Sequence, residues 1–151
     1  MHRDIHFNRV RTAWLWLVAA LALHVSDEAV TGFLDVYNPT VRALREGLGW
    51  FPMPEFRFDV WATGLAALVL GLALLTPLID RGSRAVRMAT VIFAALMVLN
   101  GGAHLAGTIA GRTVATVQFE RPMPGAWSSP LVIGAAVFYL VRARRRDGVM
   151  G

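Results

Sequence analysis

The sequence has no cysteine and few charged residues, which make up 17% of its 151 positions. Without cysteine there is neither a disulfide framework nor a cysteine nucleophile. Lysine is missing too, so all 15 basic residues are arginine; coding bias explains that as well as function does, and no mechanism is attached to it. The scarcity of charge, with 56% hydrophobic residues and a mean hydropathy of +0.51, excludes an ordinary soluble domain. So much apolar surface also excludes a disordered chain. A net charge of +5 and a pI near 11.2 would suit nucleic acid. The arginines, however, sit at the ends of apolar runs instead of forming one basic face, and this argues against nucleic acid. The chain reads as a single-domain integral membrane protein.

Crossing about 30 Å of hydrocarbon takes roughly 20 helical residues. Four runs approach that length, at about 12–33, 60–79, 88–110 and 127–141. The expected fold is therefore all-α, a four-span transmembrane bundle. The fourth run is short, with Pro130 suited to a first helical turn. Arg3, Arg9 and Arg11 precede the first run. Arg81, Arg84 and Arg87 separate the second from the third, and Arg142, Arg144, Arg145 and Arg146 follow the fourth. In the other two loops arginines are balanced by Asp35, Glu46, Glu55, Asp59 and Glu120. By the positive-inside rule both termini are cytoplasmic and the other two loops face outward. Basic residues followed by Ala20-Leu21-Ala22 imitate a signal peptide. Cleavage there would leave three crossings and set the C-terminal arginines against the remaining flanks, so the first run is expected to stay.

The long first outer loop carries its own pattern. Asn38 reads as an N-cap with Pro39 in the first helical position, and Val41, Leu44 and Leu48 share a face. Trp50, Phe51 and the breaker Pro52-Met53-Pro54 follow. This predicts a short amphipathic helix lying at the interface, more simply a brace than a lid.

Ionisable residues inside spans are costly, and by default they are functional candidates. The first run holds His24, Asp27 and Glu28 in HVSDE, with i, i+3 and i+4 on one face. The third holds Asn100 and His104 in NGGAH, again i and i+4, with Gly101 and Gly102 expected to admit a neighbouring helix. Arg11 to His24 and Arg87 to Asn100 each span 13 residues; Arg11 to Glu28 and Arg87 to His104 each span 17. Both sets therefore lie about 20–25 Å from the cytoplasmic arginines, with Asp59 slightly above. Two imidazoles and two or three carboxylates match a zinc, iron or manganese site. His24, Asp27, Glu28 and His104 are the expected ligands. Asp27 is alternatively a general base, and Asp27, Glu28 and Asn100 are the candidate catalytic groups, Asn100 by orienting a ligand. Axial haem ligation by His24 and His104 is a weaker alternative. A metal-free proton shuttle and a polar packing or partner-binding cluster are others. The expected function is that of a small membrane metalloenzyme, a hydrolase or isomerase acting on a lipidic substrate, with oligomerisation left open.

HVSDE, NGGAH and the downstream RPMPG resemble the three signatures of the HXXEE family of small bacterial integral membrane proteins. That family is named for His-x-x-Glu-Glu in its first span and also carries Asn-Ala-x-x-His-type and Tyr-Ser-Pro-Gly-type motifs. By position these correspond to His24, Asp27 and Glu28, then Asn100 and His104, then Pro124 and Gly125. Asp27 replaces the first Glu, shortening that arm by one methylene. Gly101 stands where Ala is usual, and Met123 and Arg121 stand where Ser and Tyr are expected. The resemblance implies an integral membrane protein and brings no activity with it. Read on its own, Pro-Met-Pro-Gly is a turn feeding the fourth run, with Glu120 and Arg121 near the mouth of the site and Trp127 an interface anchor.

Overall fold

A computed structural model describes residues 2–80 and 83–147, omitting the side chains of residues 2–8, 80, 146 and 147. Of the arginines used for orientation, Arg81 and the side chains of Arg3 and Arg146 fall outside the described residues. The fold is all-α apart from one small hairpin. Its helices are α1 (His2–Val30), α2 (Phe33–Leu48), α3 (Phe58–Leu74), α4 (Thr76–Asp80), α5 (Arg84–Ala110) and α6 (Ser129–Asp147). Strands β1 (Arg112–Val114) and β2 (Val117–Gln118) pair antiparallel after α5. This hairpin was not expected from the sequence.

Two helical segments, Arg9–Val30 and Arg84–Ala110, are long and apolar enough to cross a membrane. A third apolar helix, α3, has 17 residues. The expected second run is divided between α3 and α4, because the helix breaks at Leu75 just before Thr76-Pro77. Proline lacks the N–H needed to continue the ladder. The fourth apolar run becomes α6, which begins at Ser129 and runs to Asp147, further along the chain than the expected 127–141.

The first run also ends early. Gly32 adopts φ 77°, a left-handed conformation that closes α1 and starts α2 directly at Phe33. The expected start at Asn38 is therefore wrong, and Pro39 lies inside the helix. Because the turn supplies the helix start, the Asn38 amide is released for another task. It donates to the Phe56 carbonyl (2.9 Å) and accepts from the Phe56 N–H (3.0 Å), clamping the loop that leads into α3. Of the expected apolar stripe, Val41 is buried, Leu44 half-buried and Leu48 exposed.

The core centres on fully buried Trp14, which meets Phe93 and Tyr139 edge-on, at centroid distances of 5.9 and 5.4 Å. Its indole N–H donates to the Leu72 carbonyl (3.0 Å), one of the last four carbonyls of α3, which have no partner within the helix. Tyr139 and Thr90 share a buried hydrogen bond of 2.6 Å between α6 and α5. Large apolar side chains such as Trp16, Leu23, Leu70, Leu96, Leu99 and Ile109 point outward. α6 packs tightly against both α1 and α5, and α3 packs along α1.

Candidate metal centre

α1 delivers His24, Asp27 and Glu28, and α5 delivers Asn100 and His104. The turn ahead of α6 closes over them. α5 and α6 come close enough at Gly101 that a Cβ there would lie 2.7 Å from Ile133 and 3.1 Å from the Ser129 carbonyl. Gly102 faces open space, so only one of the two expected glycines serves the approach. At the turn, Gly125 has φ 81°, and a Cβ there would stand 2.8 Å from Glu28 Cγ and 2.9 Å from His104 Cε1. The Pro-Gly of the third motif therefore packs directly onto the polar cluster.

His24, Glu28 and His104 are all buried, with exposures of 1%, 5% and 2%. One potential ligand atom from each lies within 4.8 Å of the others, so together they could hold a metal ion. His104 Nε2 is 3.0 Å and His24 Nε2 3.5 Å from the same oxygen, Glu28 Oε1. The other ring nitrogens fix the tautomers, following the rule that a hydrogen-bond network assigns protons by complementarity. His104 Nδ1 sits 2.5 Å from the Pro124 carbonyl, which can only accept, so Nδ1 carries the proton. Ser128 donates its single hydroxyl proton to Asp27 Oδ2 (2.7 Å), so at 2.8 Å its oxygen accepts from His24 Nδ1–H. The Asn100 amide then donates to the lone pair of His24 Nε2 at 2.9 Å.

In this arrangement the His104 Nε2 lone pair faces the Glu28 carboxylate oxygen in a buried setting, and His24 Nε2, which accepts from Asn100, stands 3.5 Å from the same oxygen. Acceptors do not pack against acceptors without a cation between them, and an unpaired buried charge is costly. A proton or a metal ion meets the requirement. In tetrahedral zinc coordination, with ligands at roughly 2.0–2.1 Å, donor atoms lie about 3.3 Å apart. The observed 3.0 and 3.5 Å bracket that spacing. The bonds from Nδ1 to a backbone carbonyl and to a hydroxyl-linked carboxylate are of the kind that orient metal-binding histidines. The donor set therefore fits a divalent ion. It does not fit haem, since the two rings meet edge to face at 4.9 Å and 89°, with Glu28 against both. A macrocycle has no room between them.

The structure does not gather all the expected residues equally. Asp27 stays outside the group of three, because its Oδ2 is engaged by both the N–H (2.9 Å) and the hydroxyl (2.7 Å) of Ser128. Asn100 touches His24. Asp59 is 63% exposed and pairs with Arg57 at 3.0 Å, away from the cluster. Glu120, Arg121 and Trp127 are exposed. Sequence reasoning missed Ser128, along with Thr31, whose hydroxyl accepts from the Gly125 N–H (3.1 Å). Thr108 was missed as well; it donates to the His104 carbonyl (2.8 Å) and accepts from the Met123 N–H (3.0 Å). A signal for Ser128 existed in its place before Ser129-Pro130, a helix-start pattern.

Outside the cluster, Arg42 and Arg45 both pair with Glu55, at 2.9 and 3.4 Å. The Arg42 hydrogen bond holds the Glu55 carboxyl below the usual carboxylate range. Phe33 links the two regions, with its ring 5.5 Å from His104 and 5.4 Å from Tyr37. No protein-family model, no curated protein and no solved structure matches the chain.

Proposed function

We propose that the chain is a four-span membrane metalloenzyme with both termini cytoplasmic, in which His24, Glu28 and His104 hold one divalent ion. The resemblance to the HXXEE family supports the membrane reading, and the outward apolar side chains suit contact with lipid acyl chains. One observation carries the metal reading: both imidazole Nε2 atoms lie within 3.5 Å of Glu28 Oε1 while both Nδ1 atoms are tied down. Three protein ligands, one short of a tetrahedral set, is the pattern of catalytic, as opposed to structural, zinc sites. A bound divalent ion would polarise a substrate oxygen or acidify a water. That chemistry suits a hydrolase or isomerase, and the depth of the site in the apolar bundle suits a lipidic substrate. Asn100 contributes an amide donor beside the ligand face of His24, and the Pro124 carbonyl keeps the His104 ring in register.

The 3.0 Å separation of His104 Nε2 and Glu28 Oε1 is also a hydrogen-bond length. It favours a second reading, in which one shared proton makes the cluster a packing device. Metal analysis separates the two. Protein purified in detergent and equilibrated with zinc, iron or manganese should retain about one ion per chain after desalting. His24→Ala and His104→Ala should lose it, while Asp59→Asn should keep it. Wild-type protein that retains no more metal than His104→Ala overturns the metal reading.

A further inference from the structure

Ser128 has no place in the motifs of the sequence, yet it makes more contacts with the cluster than any residue of the turn. It ties the start of α6 to the polar face of α1. Its N–H (2.9 Å) and hydroxyl (2.7 Å) both donate to Asp27 Oδ2. Its hydroxyl oxygen lies 2.8 Å from His24 Nδ1. The Gly125 carbonyl, a second acceptor within reach at 3.3 Å, is both longer and uncharged. A charge-assisted bond to the carboxylate is the stronger of the two, so the single hydroxyl proton goes to Asp27. Ser128 is then left with lone pairs only, and His24 must supply the proton on Nδ1.

From this geometry we infer that Ser128 is a positioning residue: it couples the Asp27 carboxylate to His24 and holds that imidazole as the Nδ1–H tautomer, with the Nε2 lone pair facing the Asn100 amide, which a cation would displace. Metal-binding histidines commonly donate their second nitrogen directly to a carboxylate. Here a hydroxyl is interposed. Asp27 and His24 stand three residues apart on one helix face, and the shorter aspartate arm is met by a serine reaching across from the start of α6. The dual bond from the Ser128 backbone and side chain fixes the rotamer of Asp27, and the position before α6 fixes Ser128 itself. Its carbonyl accepts from the Leu131 and Val132 N–H groups at 3.0 and 3.1 Å. The chain of influence therefore runs from the helix start, through one hydroxyl, to the ring.

The use of Nε2 by a metal rests on the metal reading above, but the tautomer does not, so two measurements keep them apart. The first is long-range proton–nitrogen correlation spectroscopy of His24 in metal-free protein labelled with ¹⁵N-histidine. Wild type should show the Nδ1–H pattern, and Ser128→Ala should shift toward Nε2–H, with Ser128→Thr restoring the wild-type pattern. The second is zinc affinity by chelator competition, which should fall roughly 10–100-fold in Ser128→Ala and recover in Ser128→Thr. A wild-type protein that binds no zinc yet shows the Nδ1–H tautomer overturns the metal reading and supports the relay. An Nε2–H pattern in wild type overturns the relay even if Ser128→Ala fails to fold. So does an unchanged tautomer in Ser128→Ala.

Discussion

His24 and His104, 80 positions apart in the chain, meet edge to face with ring planes at 89°, and each aims Nε2 at the same oxygen of Glu28. Edge-to-face packing lets two imidazoles approach one carboxylate without stacking over it. The outer nitrogen of each ring has a different partner, a backbone carbonyl for His104 and a serine hydroxyl for His24. Neither ring can turn over without leaving a buried donor unpaired, which costs about 1–3 kcal/mol.

Glu28 is the residue where structure and metal binding come apart. Glu28→Gln offers an amide N–H to the His104 Nε2 lone pair, so the fold should survive with little change in thermal midpoint. Metal affinity should nevertheless fall by more than the ~10–100-fold typical of losing an outer partner, because a neutral amide is a poor ligand. Glu28→Ala removes the oxygen that shares a proton or an ion with His104 Nε2, so that a buried nitrogen is left without a partner. It should cost about 1–3 kcal/mol of stability in addition to the metal. Detergent-solubilised unfolding and zinc competition on the same two variants check both statements. Equal affinity in Glu28→Gln and wild type would remove Glu28 from the ligand set.

Gly125 closes the turn over the cluster at φ 81°, and the space a Cβ would need is already filled by Glu28 and His104. Gly125→Ala should therefore destabilise by about 1–3 kcal/mol from backbone strain alone, with the side-chain clash adding to it. The Pro124 carbonyl would be displaced from His104 Nδ1, so zinc affinity should fall in the same variant. Gly102→Ala is the matched control, since a Cβ there meets nothing within 4 Å. Its helical site should accept alanine with unchanged or slightly higher stability.

The polar positions on α1 and α5 were legible in the sequence, because helical spacing and equal distance from flanking arginines are one-dimensional facts. That arithmetic placed His24, Glu28 and His104 at one depth. It could not show that Asp27 would be turned aside, since that depends on Ser128, which lies 101 residues away in the chain. Nor could it place the break between α1 and α2. Asn38-Pro39 is a fair start signal, but a glycine six residues earlier in the left-handed conformation starts the helix first. The amide thereby released clamps Phe56, a long-range bond that leaves no local signature.

The loop following α2 should respond to acid. Glu55 is paired with Arg42 and Arg45, and its carboxyl is held below its ordinary value, first by the Arg42 hydrogen bond. A depressed folded-state value means that the contribution to stability is present above the unfolded-state pKa. It is lost as pH falls through the folded one. Hydrogen-exchange protection of residues 50–57, with rates corrected for the intrinsic slowing of exchange in acid, should therefore fall as the buffer is taken from neutral into that acidic range. Glu55→Gln should show the lower protection throughout and lose this pH dependence of protection. Since the pair is exposed, 0.5 M salt should reduce the difference between the two proteins.

The orientation can be read directly, because the chain has no cysteine of its own to confuse a labelling experiment. Four crossings with cytoplasmic termini put Glu46 and Glu120 on the outer side and Arg144 inside, and all three positions are exposed. Single cysteines introduced as Glu46→Cys and Glu120→Cys should react with a membrane-impermeant maleimide in intact spheroplasts. Arg144→Cys should react only after permeabilisation. The arginine flanks set this expectation, since cytoplasmic loops retain an excess of positive charge. The division of the second apolar run into α3 and α4 makes the experiment a sharp one. If α3, at 17 residues, fails to cross, the number of crossings becomes odd and Arg144→Cys is labelled from outside. Labelling of Glu46→Cys without Glu120→Cys would likewise overturn the four-span arrangement.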